Sequence, residues 1–242
     1  MNIFQGIEAV LLITFSLCTT YPQNVLMNCG LIVENKIEVN ENIIMNDYKY
    51  LKENIKIPQL KNDLFKEKID LINNTISKDI LSKVSEAEKV SKEYFDNAAG
   101  IIPKFPFEII SEYTITLNNP KLISIYNDYY EYLGGAHGMT TRTSYTIDKE
   151  NIRLLKLQDL FKKEYSYKDV INNAIIRQIK LNSDIYFNSG NDFKGIGDNQ
   201  NYYLDNDNLI IYYQLYEIAP YVAGIREFKI PIQMFGENFL YV

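Results

Sequence analysis

The strongest constraint on the fold is an apolar stripe in residues 65–94. Phe65, Ile69, Ile72, Ile76, Ile80, Val84, Ala87, Val90 and Tyr94 recur every three or four positions, the spacing of one face of an α-helix. Asn62 or Asp63 can cap its start, and Asn97-Ala98-Ala99-Gly100 supplies an end. The stripe reads as core rather than as a cofactor or partner groove. Its expected partner is a sheet containing Leu209-Ile210-Ile211-Tyr212-Tyr213, a run apolar enough to be a central strand covered on both faces. A helix of this length is also open to a kink or a break.

Around the helix the pattern is that of strands. Residues 31–39 and 48–57 are candidates, with Pro58 closing the second because it cannot continue a hydrogen-bonded ladder. Residues 108–117, 121–132 and 140–147 follow, joined by Asn118-Asn119-Pro120 and by a glycine-rich turn, which predicts an antiparallel meander. Val170, Ile171, Ala174, Ile175 and Ile179 mark a second amphipathic helix over 170–181. Residues 182–200 read as a loop or insertion, and 202–204, 208–215 and 225–231 finish the sheet. The expected fold is α+β: one or more antiparallel sheets, a long N-terminal amphipathic helix, and a second helix packed on the sheet. Residues 1–28 read as a possible signal or anchor segment, 29–104 as an N-terminal α/β subdomain, and 105–242 as a C-terminal antiparallel β-rich subdomain.

Chemistry concentrates in the turn Tyr132-Leu133-Gly134-Gly135-Ala136-His137-Gly138, which holds the only histidine of the chain. Gly134, Gly135 and Gly138 permit positive φ or close backbone approach, so they can expose N–H groups and fix the direction of His137. The turn is either a ligand site or a demanding piece of architecture. For His137 the architectural reading is preferred, an imidazole satisfied by a backbone carbonyl or a tyrosine hydroxyl, as buried polar groups generally are. The loop Tyr216-Glu217-Ile218-Ala219-Pro220-Tyr221, reversed by Gly224, is expected to approach this turn, with Tyr221 or Glu217 orienting the ring. The ligand-binding candidates are therefore Gly134, Gly135, His137, Gly138, Tyr130, Tyr132, Glu217 and Tyr221.

Several of these segments occur in a telling order. Gly134-Gly135-Ala136-His137-Gly138 is followed by Leu157-Gln158-Asp159-Leu160-Phe161, by Leu209-Ile210-Ile211-Tyr212-Tyr213, by the 216–221 loop, by Gly224 and by Phe228-Lys229-Ile230-Pro231. This order resembles the paired domains of unknown function found in the extracellular part of the lysozyme-sensing anti-sigma factor RsiV and in the non-catalytic N-terminal half of the peptidoglycan deacetylase PdaC. The resemblance runs from about Tyr48 to Phe235. It is specific in the second half, whereas the first half offers only Ile55-Lys56-Ile57-Pro58 and the long helix. It implies an α+β fold and a role in sensing or binding at the cell envelope, without a catalytic assignment for the motif itself.

Composition narrows the function further. The 242 residues, 46% of them hydrophobic, can bury a sizeable core, and a net charge of -6 disfavours nucleic acid and suits a cationic partner. Two cysteines, Cys18 and Cys29, and one histidine cannot make a four-ligand zinc site, and no cofactor is implied. The cysteines read equally as a disulfide or as free thiols. Residues 7–17 resemble the apolar part of a signal peptide but lack a basic start and a small-residue cleavage site. A buried N-terminal element is the alternative, and export is preferred on the resemblance alone.

A lone histidine cannot supply the metal-binding pair of a polysaccharide deacetylase, and no Gly-x-Ser-x-Gly elbow or phosphate-binding glycine loop is present. The reading is a non-catalytic envelope binding or sensory domain, its ligand a cationic protein such as lysozyme or a peptidoglycan glycan. The 20 tyrosines supply contact surface without the stacking advantage of tryptophan, which is absent. A stand-alone structural module and a carboxylate-based glycan-active enzyme are the alternatives.

Overall fold

The apolar stripe folds as a single uninterrupted helix, α1 (Lys66–Asn97), in a computed structural model that describes residues 37–99, 101 and 103–241. The expectations placed on residues 1–28, Cys18, Cys29 and Gly100 lie outside the described residues. The buried face of α1 is Ile69, Ile72, Ile76, Ile80, Val84, Ala87 and Ser91. Over that stretch the buried positions keep the true helical period, so burial falls on Ser91 and not on Val90, which is exposed. Ser91 makes its burial tolerable by donating its hydroxyl to the Ala87 carbonyl at 2.7 Å. Tyr94 is exposed too, and packs edge-on against Phe107 with ring centroids 5.1 Å apart. Asn62 caps the turn ahead of the helix, its Oδ1 accepting the N–H groups of Leu64 and Phe65.

Six strands form the larger sheet in sequence order: β1 (Glu38–Asp47), β2 (Leu51–Lys61), β3 (Phe107–Asn118), β4 (Leu122–Tyr132), β5 (Met139–Asp148) and β6 (Arg153–Leu154). The sheet is mixed, not purely antiparallel: β2 and β3 run parallel, Leu51–Ile55 against Phe107–Ser111. Parallel neighbours need a crossover that returns the chain to the same end, and α1 is that crossover. β2 and β3, which lie on either side of residue 104, pair within one sheet. Among the described residues the first strand is Glu38–Asp47, a half-solvated edge strand, and residues 31–36 of the expected run 31–39 lie outside the described residues. Pro58 does not end β2, which pairs with β1 as far as Lys61. The register with β3 stops at Ile55, so Pro58 has a strand neighbour on one side only, where a missing N–H is tolerated.

The last three strands do not finish this sheet. β7 (Tyr202–Leu204), β8 (Asn208–Tyr213) and β9 (Arg226–Pro231) make a separate antiparallel sheet with β8 central. It lies across β3, β4 and β5 on the face opposite α1: the Leu204 N–H donates to Ser124 Oγ at 3.0 Å, and Tyr126 meets Tyr203 with centroids 5.1 Å apart. Its outer face takes Ile171, Ala174, Ile175 and Ile179 of α2 (Tyr167–Leu181). The layers are therefore α1, six-stranded sheet, three-stranded sheet, α2. The stripe of α1 packs on Ile55, Ile109, Ile123 and Ile125 of the larger sheet, and not on Leu209–Tyr213 as its apolar run suggested.

Ile76 is fully buried in the α1 layer. Ile76→Ala is expected to cost about 2–5 kcal/mol through lost burial and the cavity left behind, read as a lowered midpoint in urea unfolding.

Candidate functional site: the glycine-rich turn and the loop above it

Residues 133–138 connect β4 to β5 as a hairpin whose last pair is Glu131 opposite Met139. Two of the glycines serve the backbone and one serves packing. Gly134 and Gly135 sit at φ +98° and +93°, a region other residues avoid, whereas a Cβ on the buried Gly138 would fall 2.4 Å from the ring of Tyr130. His137 is exposed and not buried, but the partners it meets are of the expected kinds, a backbone carbonyl and a tyrosine hydroxyl. Its Nδ1 donates to the Gly138 carbonyl at 2.9 Å, and its Nε2 lies 3.4 Å from the Tyr216 hydroxyl. The imidazole stacks on Tyr221 at 4.0 Å between centroids and 23° between planes, and Tyr221 Oη donates to the same Gly138 carbonyl at 3.0 Å. Tyr132 Oη ties the turn from the other side through the Gly135 carbonyl at 3.1 Å.

The loop between β8 and β9 thus meets the turn through Tyr216 and Tyr221. Glu217 does not reach His137: its Oε2 accepts the Gln214 N–H at 2.7 Å and shapes the loop from within. Gln214 docks that loop on β5 by behaving as an extra strand residue, accepting from the Arg142 N–H at 3.0 Å and donating to the Arg142 carbonyl at 2.7 Å. Tyr130 and Tyr132 join Phe105, Phe107, His137 and Tyr221 around an open cleft of about 630 Å³, with Lys52 and Glu108 at its edges. Tyr221 also borders a second cleft, of about 510 Å³, with Thr140, Arg142, Ile225 and Glu227. Val222, at the tip beside it, is 92% exposed.

Beneath the second cleft is a cluster not expected from the sequence. Arg142, 10% exposed, makes two bonds of 2.6 Å to the carboxylate of Asp128 and a third to Glu227. Its guanidinium lies 3.8 Å above the centre of the Tyr126 ring, and the Tyr203 hydroxyl donates to Glu227 at 3.0 Å. Burial works against the charge of Arg142, but Asp128 and Glu227 outweigh it and hold the guanidinium protonated more firmly than usual. Burial also pushes the Tyr212 hydroxyl up to about 12, although its bond to Ser144 and the charge of Arg142 pull the other way. One signal could have revealed the pair: folding the hairpin about the glycine-rich turn sets Asp128 opposite Arg142.

Among the described residues, no group of three or more His, Cys, Asp or Glu could hold a metal ion, and no helix is long and apolar enough to cross a membrane. The site is an aromatic-rimmed open surface at one end of an α+β sandwich. The family model described as deacetylase PdaC matches residues 44–140, and the one described as a protein of unknown function, DUF3298, matches residues 158–233. The chain carries the paired domains of the RsiV- and PdaC-like kind. Anti-sigma-V factor RsiV of Bacillus subtilis (strain 168) is 32% identical over 172 residues, covering 66% of this chain and 59% of that protein. Peptidoglycan-N-acetylmuramic acid deacetylase PdaC of the same strain is 22% identical over 192 residues, covering 77% of this chain and 38% of that protein. The chain thus spans less than two thirds of either curated relative. Crystal structures of DUF3298 family members from Bacteroides fragilis and Pseudomonas aeruginosa share the fold, with TM-scores of 0.59 and 0.57 at 24% and 18% identity. Each alignment covers 84% of this chain, with 93% of the first structure and 94% of the second.

Two substitutions separate the architecture from the rim. Arg142→Ala leaves two carboxylates without their partner and is expected to cost about 3–5 kcal/mol of folding free energy. His137→Ala, at an exposed position, is expected to move stability by less than about 1 kcal/mol. Paired thermal and urea unfolding of both variants checks the contrast.

Proposed function

We propose that this chain is a non-catalytic binding or sensory domain of the cell envelope, and that it engages its ligand at the end of the sandwich where the glycine-rich turn meets the 214–225 loop. The observation that carries this reading is the Tyr221–His137 stack, which sets an aromatic ridge between two open clefts and leaves Val222 projecting beside it. Such a ridge offers large contact area at low conformational cost, as binding hot spots generally do. The ligand-binding candidates Tyr130, Tyr132, His137 and Tyr221 line one cleft with Gly135 and Gly138, while Gly134 shapes the turn and Glu217 acts through Gln214.

The ligand we favour is a cationic protein such as a lysozyme, steered by the net charge of -6. The anti-sigma factor relative supports the sensory sense of this reading, and both relatives support an extracytoplasmic location. A glycan of the peptidoglycan type is the second reading, favoured by the aromatic lining of Phe105, Phe107, Tyr130 and Tyr132.

Titration of the chain against a cationic lysozyme and, separately, against purified peptidoglycan tests both. Saturable lysozyme binding that weakens with added salt, and at least about tenfold for Tyr221→Ala with an unchanged melting midpoint, is the expected result. Retention on peptidoglycan alone selects the glycan, and binding to neither rejects the proposal.

A further inference from the structure

Two carboxylates are buried among the described residues, and they are treated in opposite ways. Asp148, 2% exposed, accepts hydrogen bonds from the N–H groups of Glu150 and Asn151, from the Asn151 amide and from the Tyr241 hydroxyl. Burial opposes its charge, yet those donors prevail and hold its carboxyl below the usual range. Glu53, 4% exposed, accepts one bond, from Asn46 Nδ2 at 2.7 Å, and its Oε1 is buried without a partner. It stands on β2 between Leu51 and Ile55, on the face that α1 covers, where an unsatisfied charge is costly.

The groups that face Glu53 do not neutralise it. From α1 comes Glu88, a second carboxylate; from β4 comes Tyr129, whose hydroxyl donates to Glu131; from the turn after β1 comes Tyr48; and β1 supplies only the Asn46 amide. The nearby cations are engaged elsewhere or lie in the open. Lys83 donates to Thr143 Oγ1 at 3.1 Å, Lys92 pairs with Asp96 at 2.5 Å, and Lys89 lines an open cleft alongside Glu88, Tyr48 and Tyr50. Burial pushes the Glu53 carboxyl up, the Asn46 amide pulls it back, and the charge of Glu88 adds to the rise. A buried carboxyl with one oxygen unpartnered is more stable protonated than charged.

We propose that Glu53 is a proton-dependent latch between β2 and α1, in which a proton on its buried carboxyl seats the C-terminal half of the helix on the sheet and its loss loosens that seat. Phe105 and Phe107, which line the His137 cleft, follow α1 in the chain, so the latch lies beside the residues that build the rim. Because the carboxyl of Glu53 titrates higher in the folded chain than in the unfolded one, its contribution to stability is complete below about pH 4, near the range of a free glutamate. That contribution is lost as pH rises through the folded value.

The test reads stability and titration, so it stands apart from any ligand. Melting midpoints of the full chain are measured between pH 4 and pH 8.5 for the wild type, Glu53→Gln and Glu88→Gln, with a ¹³C titration of the Glu53 carboxyl in the wild type. Glu53→Gln keeps an acceptor for Asn46 and abolishes the charge. It is expected to melt about 2–4 °C above the wild type at pH 8 and to converge with it at pH 4, with Glu88→Gln changing in the same direction. The Glu53 resonance is expected to titrate above free glutamate. Parallel melting curves for the wild type and Glu53→Gln, or a carboxyl midpoint at or below that of free glutamate, would overturn the latch. If Glu53→Gln does not fold, the wild-type titration decides alone.

Discussion

The structure depends on residues 122–125 of β4 and residues 145–148 of β5 being buried on both faces. Ile123, Ile125, Tyr129 and Ile147 of these strands meet the α1 side, while Leu122, Ser124 and Tyr126 meet the smaller sheet and its surroundings. Where the sheet is covered on both sides, each cover needs its own means of attachment. The α1 side is joined by apolar packing along a continuous helical stripe, which is non-directional. The other side is joined by polar groups with fixed partners: Ser124 to the Leu204 N–H, Tyr212 to Ser144, and Arg142 to Asp128 and Glu227.

That difference explains where specificity resides. Apolar layers tolerate repacking provided volume is kept, but a guanidinium held by two carboxylates and a tyrosine face fits one relative placement of the two sheets. Asp128 and Arg142 come from one hairpin and Glu227 from β9, so the ion cluster closes only once both sheets are in place. Gln214 adds a further constraint by pairing with the backbone of Arg142, which carries the β8–β9 loop to the hairpin that it overhangs.

Much of this was legible in the residues. The period of α1, the β4–β5 hairpin, the second helix and the covered character of β8 follow from spacing and turn chemistry, which are local properties. Partner choice was not legible. Ile76 must be buried, but its sequence is as compatible with Leu209–Tyr213 as with Ile123 and Ile125, since each is an apolar run. The parallel β2–β3 pair was missed because register across a crossover is not written in either strand. At the site, the glycines and Tyr221 announced themselves through turn chemistry, whereas Arg142 sits in an unremarkable threonine-rich strand and gains its meaning from Asp128 across the hairpin. The exposure of His137 was hidden because a single histidine looks the same buried or free.

The Gly138 carbonyl accepts from both His137 and Tyr221. The first donor lies in the stretch matched by one family model and the second in the stretch matched by the other. The rim is therefore a seam, and neither half owns it. A change on one side alters the surface offered by the other. For a chimera built from two relatives, the identity of the residues flanking this one oxygen would matter more than overall similarity.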